Sequence, residues 1–305
     1  MTYGSLPGRE PRSGGREAAR EHARELRERY RKRDRRRRAI VVSSIVGGVV
    51  AIAAIVTLVL ANVDHSLTRG PLNMASDGIK IGQDYKADIT PGLAMTAAPT
   101  PAETNAPGVI DIRIYVDYLC PNCGSFEQVN GDQLRAWIES GAATVEIHPL
   151  AVLTTKSAGT QYSLRAANAA ACVAEYSPDH FFDFNDELFR DQPAEGSAGL
   201  DDDELVRRAE AAGVDALPNI RVCIRDGKFR DWVLAATDRA LAGPVPDSDV
   251  SAIASTPTVI VNGKEFKYTD ATDPKAFAQF VQLAAGATFA SNATPAPTPA
   301  ATPAG

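Results

Sequence analysis

Histidine is scarce in this chain, four residues in 305, and cysteine is equally so. There is no His-Glu-x-x-His run, no Gly-x-Ser-x-Gly elbow and no Gly-rich phosphate loop. Those absences remove the helical zinc-protease, serine-hydrolase and P-loop signatures. Only Cys120 and Cys123 stand close together; Cys172 and Cys223 are far apart in sequence. A structural zinc site wants two close-spaced ligand pairs, and the second is missing. The basic stretch at 1–38 holds two aromatics, Tyr3 and Tyr30, and no recognisable nucleic-acid module, which argues against nucleic-acid binding. Charge is missing entirely from residues 39–63.

That last gap divides the chain. Residues 1–38 carry 14 Lys/Arg against 6 Asp/Glu, and the remainder 18 against 32, although the whole chain is only −6. So sharp a split predicts two compartments rather than one mixed surface. Ala39–Val63 is rich in Ile, Val, Leu and Ala and long enough to span a bilayer as a helix. The run RKRDRRRR, Arg31–Arg38, precedes it and keeps the N-terminus cytoplasmic, so everything after Asp64 lies outside. A cleaved signal peptide is the alternative, but its apolar core is usually about 7–15 residues. The even cysteine count fits an oxidising compartment.

The chemistry concentrates in Val109–Glu127, VIDIRIYVDYLCPNCGSFE. Val109, Ile110, Ile112, Ile114 and Val116 read as a buried strand. Pro121 suits a first helical position, where its missing N–H is not needed. The Cys120 sulfur is thereby set at a helix N-terminus, whose partial positive charge favours thiolate over thiol. Cys123, one turn on, can attack a mixed disulfide formed on Cys120. The dipeptide between them is Pro121-Asn122, and Asn122 lends the thiolate no charge.

Around this motif the spacing predicts further elements. Residues 64–107 form a linker in which Gly78–Gly82 reads as an edge strand and Ala94–Pro107 as a low-complexity surface excursion. A helix runs from Cys120 to about Gly141, and Ala143–His148 is a second strand stopped by Pro149. Residues 156–242 read as four helices: Lys156–Tyr176, Asp179–Arg190, one capped by Asp201 and ended by Gly213, and Pro218–Leu241 with a break at Gly227. Pro257–Val261 is a strand, Asn262-Gly263 a type I′ hairpin turn, and Glu265–Tyr268 its return. Asp273 caps a last helix to about Ala285, and residues 290–305 form a disordered Ala/Thr/Pro tail. His148 reads as structural and His180 as a cap or surface group. Cys172 and Cys223, each between apolar neighbours in predicted helices, are expected to form a structural disulfide; the alternative is two buried, unpaired thiols.

Taken together, these pieces resemble the DsbA-like thiol:disulfide oxidoreductases, most closely their membrane-anchored branch in Gram-positive bacteria. The resemblance rests on Asp117-Tyr-Leu-Cys-Pro-Asn-Cys123, Glu146-Ile-His-Pro-Leu150, Ala166–Phe189 with Asp186-Glu-Leu-Phe189, and Ser255-Thr-Pro-Thr-Val259, over about residues 108–288. It implies an α/β thioredoxin-like fold with an inserted helical domain, here preceded by one transmembrane helix. It also implies that Cys120 is the nucleophile, Cys123 the resolving cysteine, and Thr256-Pro257 a cis-proline loop. In that loop Thr256 pairs with an extended substrate and Pro257 sits beside the sulfurs. Many relatives carry an acid six residues before the first cysteine; Ile114 stands there, leaving Asp117 or water for that proton.

The expectation is therefore a single-pass membrane protein with its domain at 108–289 outside the cell. It would oxidise cysteine pairs in reduced secreted or cell-envelope proteins, with no metal and no organic cofactor. A quinone-linked membrane partner would reoxidise it. A disulfide isomerase or reductase is the rival within the same chemistry, and a tethered, non-catalytic peptide-binding module the rival outside it.

Overall fold

The central strand β2, Ile110–Val116, pairs with strands on both sides. Its β-branched residues alternate, so Ile112, Ile114 and Val116 share one face and Asp111, Arg113 and Tyr115 the other. Parallel to it lies β3, Ala143–Pro149, with Ile112 opposite Val145 and Ile114 opposite Ile147. Antiparallel on the other side lies β4, Thr258–Val261, with Ile112 opposite Val261. The edges are β1, Ile79–Ile81, on β3 and the two-residue β5, Lys264–Glu265, on β4, giving the order β1-β3-β2-β4-β5. This computed structural model describes residues 69–267 and 273–292, with Arg29, residues 31–33, Arg36 and Gly47–Gly48 besides. The chain divides into two units, Met1–Asp64 and His65–Gly305, and the sheet belongs to the second.

The apolar face of the sheet is buried by helices. α1, Pro121–Glu139, turns Phe126, Leu134 and Ile138 into the core. The last helix, α7, is Pro274–Asn292, longer than predicted. Its Phe277 meets Phe126 edge-on at 5.2 Å between ring centroids and also packs against Trp137 and Phe266. Asp273 accepts a hydrogen bond from the Lys275 N–H, as expected of a cap. Asn262 and Gly263 both have positive φ, 46° and 78°, as a type I′ turn requires. The Phe266 N–H returns to the Val259 carbonyl.

Between β3 and β4 the chain forms five α-helices, the fourth of the sequence reading being divided at Gly227 as expected: α2 (Tyr162–Tyr176), α3 (Phe181–Phe189), α4 (Asp202–Ala211), α5 (Leu217–Asp226) and α6 (Arg230–Ala242). Gly227, at φ 62°, separates α5 from α6, and a Cβ there would lie 2.5 Å from the Arg230 side chain. The Asn168 side chain accepts from the Phe229 N–H at the start of α6. α2 is the hub; Ala166, Ala167, Ala169, Ala170 and Ala171 are all fully buried. Small side chains let neighbouring helices approach closely on several sides. α2 starts six residues later than predicted. Ala158, Gly159 and Gln161 take positive φ, and the Ser157 hydroxyl accepts from the Tyr162 N–H where the helix begins. α4 is capped by the Asp201 carboxylate, which accepts from the Glu204 N–H.

The second face of the sheet departs most from expectation. Lys80, Arg113, Glu146 and His148 are all buried on it. Irregular chain reaches over them at Glu103, Pro246 and Asp247. Arg113 donates to the Pro246 and Asp247 carbonyls at 2.6 and 2.7 Å. Lys80 donates to the Glu103 carbonyl, and Asn105 to the Ile110 carbonyl and the Thr144 hydroxyl. Tyr115, Leu150 and Ile260 make a small apolar cluster there with Val245, Val250 and Ile253. The excursion at 94–107 is thus a cover for the sheet. The packed unit reaches back to Arg69, which pairs with Glu175 of α2 at 2.8 Å. Asp77 likewise pairs with Arg239 of α6 at 2.7 Å.

Among the described residues no helix is long and apolar enough to cross a membrane. The predicted span at 39–63 and the basic tail at 1–38 lie outside the described residues, apart from the few positions named, and so does the tail beyond Asn292.

Cys172 of α2 and Cys223 of α5 are joined, with Cα atoms 5.9 Å apart and a separation of 51 residues. Chain-entropy arithmetic assigns a loop of that size about 4 kcal/mol. Replacing both by alanine is expected to lower the calorimetric melting temperature of the oxidised domain while leaving Cys120 alkylation rates intact. An unchanged melting temperature would show that the bond contributes nothing.

Candidate functional site

The site forms where β2 stops and α1 starts. Cys120 is the N-cap residue, with φ −74° and ψ 117°, and Pro121 is the first helical residue. The Cys123 and Gly124 N–H groups close the first turn on the Cys120 carbonyl at 3.0 and 3.2 Å. Both cysteines are free thiols. Cys123 is wholly buried beneath Cys120 and receives the Asp117 N–H on its sulfur at 3.5 Å. Across the site the Thr256–Pro257 peptide is cis, and the Cys120 thiol donates to the Thr256 carbonyl at 3.1 Å. The structure therefore brings Cys120, Cys123, Pro121, Asn122, Thr256 and Pro257 into one locus; Cys172 and Cys223 lie apart from it in the helical insertion.

The two thiols differ in acidity. A hydrogen bond from the Cys123 thiol is the largest influence on Cys120, and contacts from Thr256 and the Cys123 and Asn122 N–H groups act the same way. Against partial burial they bring its pKa down to about 6. A thiol donated to a carbonyl favours the neutral form; the several donors that converge on the sulfur outweigh that single contact. Burial drives Cys123 the other way, well above the ordinary thiol range, and the neighbouring Cys120 adds to it. At neutral pH the outer sulfur is mostly thiolate and the inner one is not.

Beneath the sulfurs lie two buried acids. Asp117 is fully buried; its carboxylate accepts from the Leu119 N–H at 2.9 Å, the Leu153 N–H at 2.8 Å and the Ser163 hydroxyl at 2.7 Å. Burial raises its pKa in spite of those bonds. Glu127, one turn beyond Cys123 on α1, accepts from the Asn185 amide, and Asn185 in turn accepts from the Tyr118 hydroxyl at 3.2 Å. Burial, with Asp186 adding to it, pushes Glu127 up to about 8. Gln192, in the loop after α3, donates to the Tyr118 and Cys120 carbonyls. Sequence reasoning raised Asp117 only as a proton carrier and missed Glu127, Asn185 and Gln192. The last two come from the helical insertion, so no local spacing marks them.

The histidines are elsewhere. His148 lies on the second face of the sheet, stacked on Tyr115 at 4.2 Å and 3.4 Å from Glu146. Burial alone would raise Glu146, but His148, Ser76 and Arg113 hold it below the ordinary carboxylate range. His180 sits at the start of α3, makes no side-chain cap there, and faces Asp215 at 3.4 Å.

Two measurements test these electrostatics. Alkylation of the reduced protein should modify Cys120 with a pH midpoint near 6 and leave Cys123 unmodified below about pH 9. Preferential labelling of Cys123 would overturn the assignment. Glu127 ionises near 4.5 when unfolded and about 8 when folded, so between those values unfolding releases a proton. Its contribution is complete below about 4.5 and is lost as pH rises through 8, at about 1.4 kcal/mol per pH unit. Glu127→Gln should therefore gain melting temperature relative to the parent on going from pH 5 to pH 8. A difference that does not change with pH would contradict the raised pKa.

Comparison with known proteins agrees with this geometry. The family model Thioredoxin_4, described as thioredoxin, matches residues 102–282. Oxidised DsbA from Mycobacterium tuberculosis is 28% identical, covering 70% of this chain and 98% of that one, with a TM-score of 0.51. Reduced DsbG from the same organism is 31% identical over 61% of this chain and 88% of its own, with a TM-score of 0.49. The serine/threonine-protein kinase PknE of M. tuberculosis is 32% identical over 126 residues, which is 40% of this chain. The chain spans only 22% of that curated relative's length. On the family model, and with the two thiols at the start of α1, the chain belongs to the thioredoxin family, in its DsbA-like thiol-disulfide oxidoreductase branch.

Proposed function

We propose that this protein is a membrane-anchored oxidase that introduces disulfides into secreted and cell-envelope proteins through Cys120 and Cys123. The observation that carries the reading is the contrast between the sulfurs, one held near pKa 6 and the other buried and far above the thiol range. In the oxidised protein a substrate thiolate attacks the Cys120 sulfur. The Cys120–Cys123 bond breaks, a substrate–Cys120 bond forms, and Cys123 leaves and takes up a proton. The second substrate thiolate then attacks the substrate sulfur of the mixed disulfide. Cys120 leaves as a thiolate, which its low pKa makes a good leaving group. Two electrons have passed to the protein, and the substrate holds a disulfide.

The Thr256 carbonyl lies against the Cys120 sulfur, where an extended substrate segment can pair with backbone. The reduced pair must be returned to the disulfide by an oxidant, and a quinone-linked membrane protein is the partner we assign. Anchoring, and a domain outside the cell, are supported by the uncharged stretch at 39–63 and the basic run before it.

With Cys123→Ser the Cys120 thiolate can still attack a substrate disulfide, breaking its S–S bond and forming a mixed disulfide that no Cys123 thiol can resolve. Substrates should therefore accumulate as reducible adducts on Cys120, in the membrane fraction of cells. No adducts in cells, and no oxidation or reduction of a test peptide by the purified parent, would favour a binding module. A dithiol potential near that of thioredoxin, about −270 mV, would favour a reductase. A reporter fused after Gly305 should be active only outside the membrane. Release of a fragment beginning near Asn62 would show a cleaved signal peptide instead.

A further inference from the structure

The turn that carries the nucleophile has little regular structure to hold it. Tyr118, Leu119 and Cys120 lie after β2 and before α1. Asp117 secures them from below, through the Leu119 N–H to its carboxylate and the Cys120 N–H to its carbonyl. The Cys120 carbonyl already accepts from the Cys123 and Gly124 N–H groups, and one further donor reaches both it and the Tyr118 carbonyl. Gln192 supplies it; its Nε2 donates to the Tyr118 carbonyl at 3.0 Å and the Cys120 carbonyl at 2.9 Å. Gln192 belongs to the helical insertion, 72 residues beyond Cys120. Asp191, at φ 53°, makes the left-handed turn just before it, a conformation that Asp tolerates better than most residues.

The fit is close on its other side too. A Cβ on Gly124 would lie 2.2 Å from Gln192 Oε1 and 3.1 Å from its Cδ. Glycine costs helix stability inside a first turn. Its presence one residue after Cys123 is accounted for by the amide that lies against it.

We propose that Gln192 is a positioning residue for the nucleophile, and that Gly124 is glycine in order to admit it. The inference rests on the oxidoreductase reading above and adds to it a control on Cys120 from the helical insertion. Gln192 does not touch the sulfur. It fixes the backbone from which the sulfur hangs, and so keeps that sulfur within reach of Thr256 and of the N–H groups that open α1. Both bonds need a donor. A glutamate of the same shape would set oxygen against two carbonyls and add negative charge beside a thiolate; a leucine would leave two carbonyls without this partner.

The test uses the full-length protein and reads the alkylation midpoint of Cys120 together with the dithiol–disulfide equilibrium against glutathione. Gln192→Leu is expected to raise the midpoint by about half a pH unit or more, roughly a threefold loss of thiolate at a pH below it. Gln192→Glu, nearly isosteric, should raise it further. Gly124→Ala should raise it by displacing the amide, and Gly124→Ala with Gln192→Leu should shift it no further than the larger single change. Both equilibria should move together, whereas a residue that only stabilises the fold would change the melting temperature and leave them alone. Unchanged midpoints in the folded Gln192→Glu and Gly124→Ala proteins, or additive shifts in the double variant, would overturn the proposal. A parent whose Cys120 does not titrate below the ordinary thiol range would instead count against the oxidoreductase reading itself.

Discussion

Asp117 accepts hydrogen bonds from Leu119, Leu153 and Ser163, and so joins three separate pieces of chain at one buried carboxylate. The pieces are the turn before α1, the loop after β3 and the first helix of the insertion. Its own N–H points at the Cys123 sulfur. A buried carboxylate is costly, and this one is tolerated because each bond satisfies a donor that burial would otherwise orphan. Remove it, and two backbone N–H groups and a hydroxyl lose their partner together. The height of Cys123 below Cys120, the entry angle of α1 and the seating of the insertion on the sheet all depend on that one group. The difference in acidity between the sulfurs then has two causes, hydrogen bonds that lower Cys120 and burial that raises Cys123. One sulfur stands at the mouth among donors, the other is sealed beneath it.

What the sequence made legible was local. The strand at Ile110–Val116, the helix opened by Pro121, the hairpin at Asn262-Gly263 and the break at Gly227 each follow from residues within a few positions of one another. The Cys120–Cys123 motif is of the same kind, as are the Asp201 and Asp273 caps. What stayed hidden needed partners from distant chain. Asn185, Glu127 and Tyr118 form a ladder only because α3 lies against α1. The Lys156 region looked helical by composition, yet positive φ at Ala158, Gly159 and Gln161 delays the helix. Tertiary context there overrides propensity. The low-complexity run at 94–107 carries no periodicity, so nothing in its pattern marks it as a cover for a sheet.

That cover changes what counts as the domain. The second face of the sheet carries Lys80, Arg113, Glu146 and His148; the last two pair with each other, and the first two donate to backbone carbonyls of irregular chain. A mostly apolar strand such as β2 is ordinarily roofed by helices on both sides. Here part of one roof is an Ala/Thr/Pro-rich strip, bonded to the sheet through the Glu103 carbonyl and the Asn105 side chain, and the loop at Pro246–Asp247 completes the contacts to Arg113. A truncation at Pro107 would therefore not trim a leash from an intact enzyme. It would strip the edge strand β1, open the buried charges to water, and leave a sheet with one finished side.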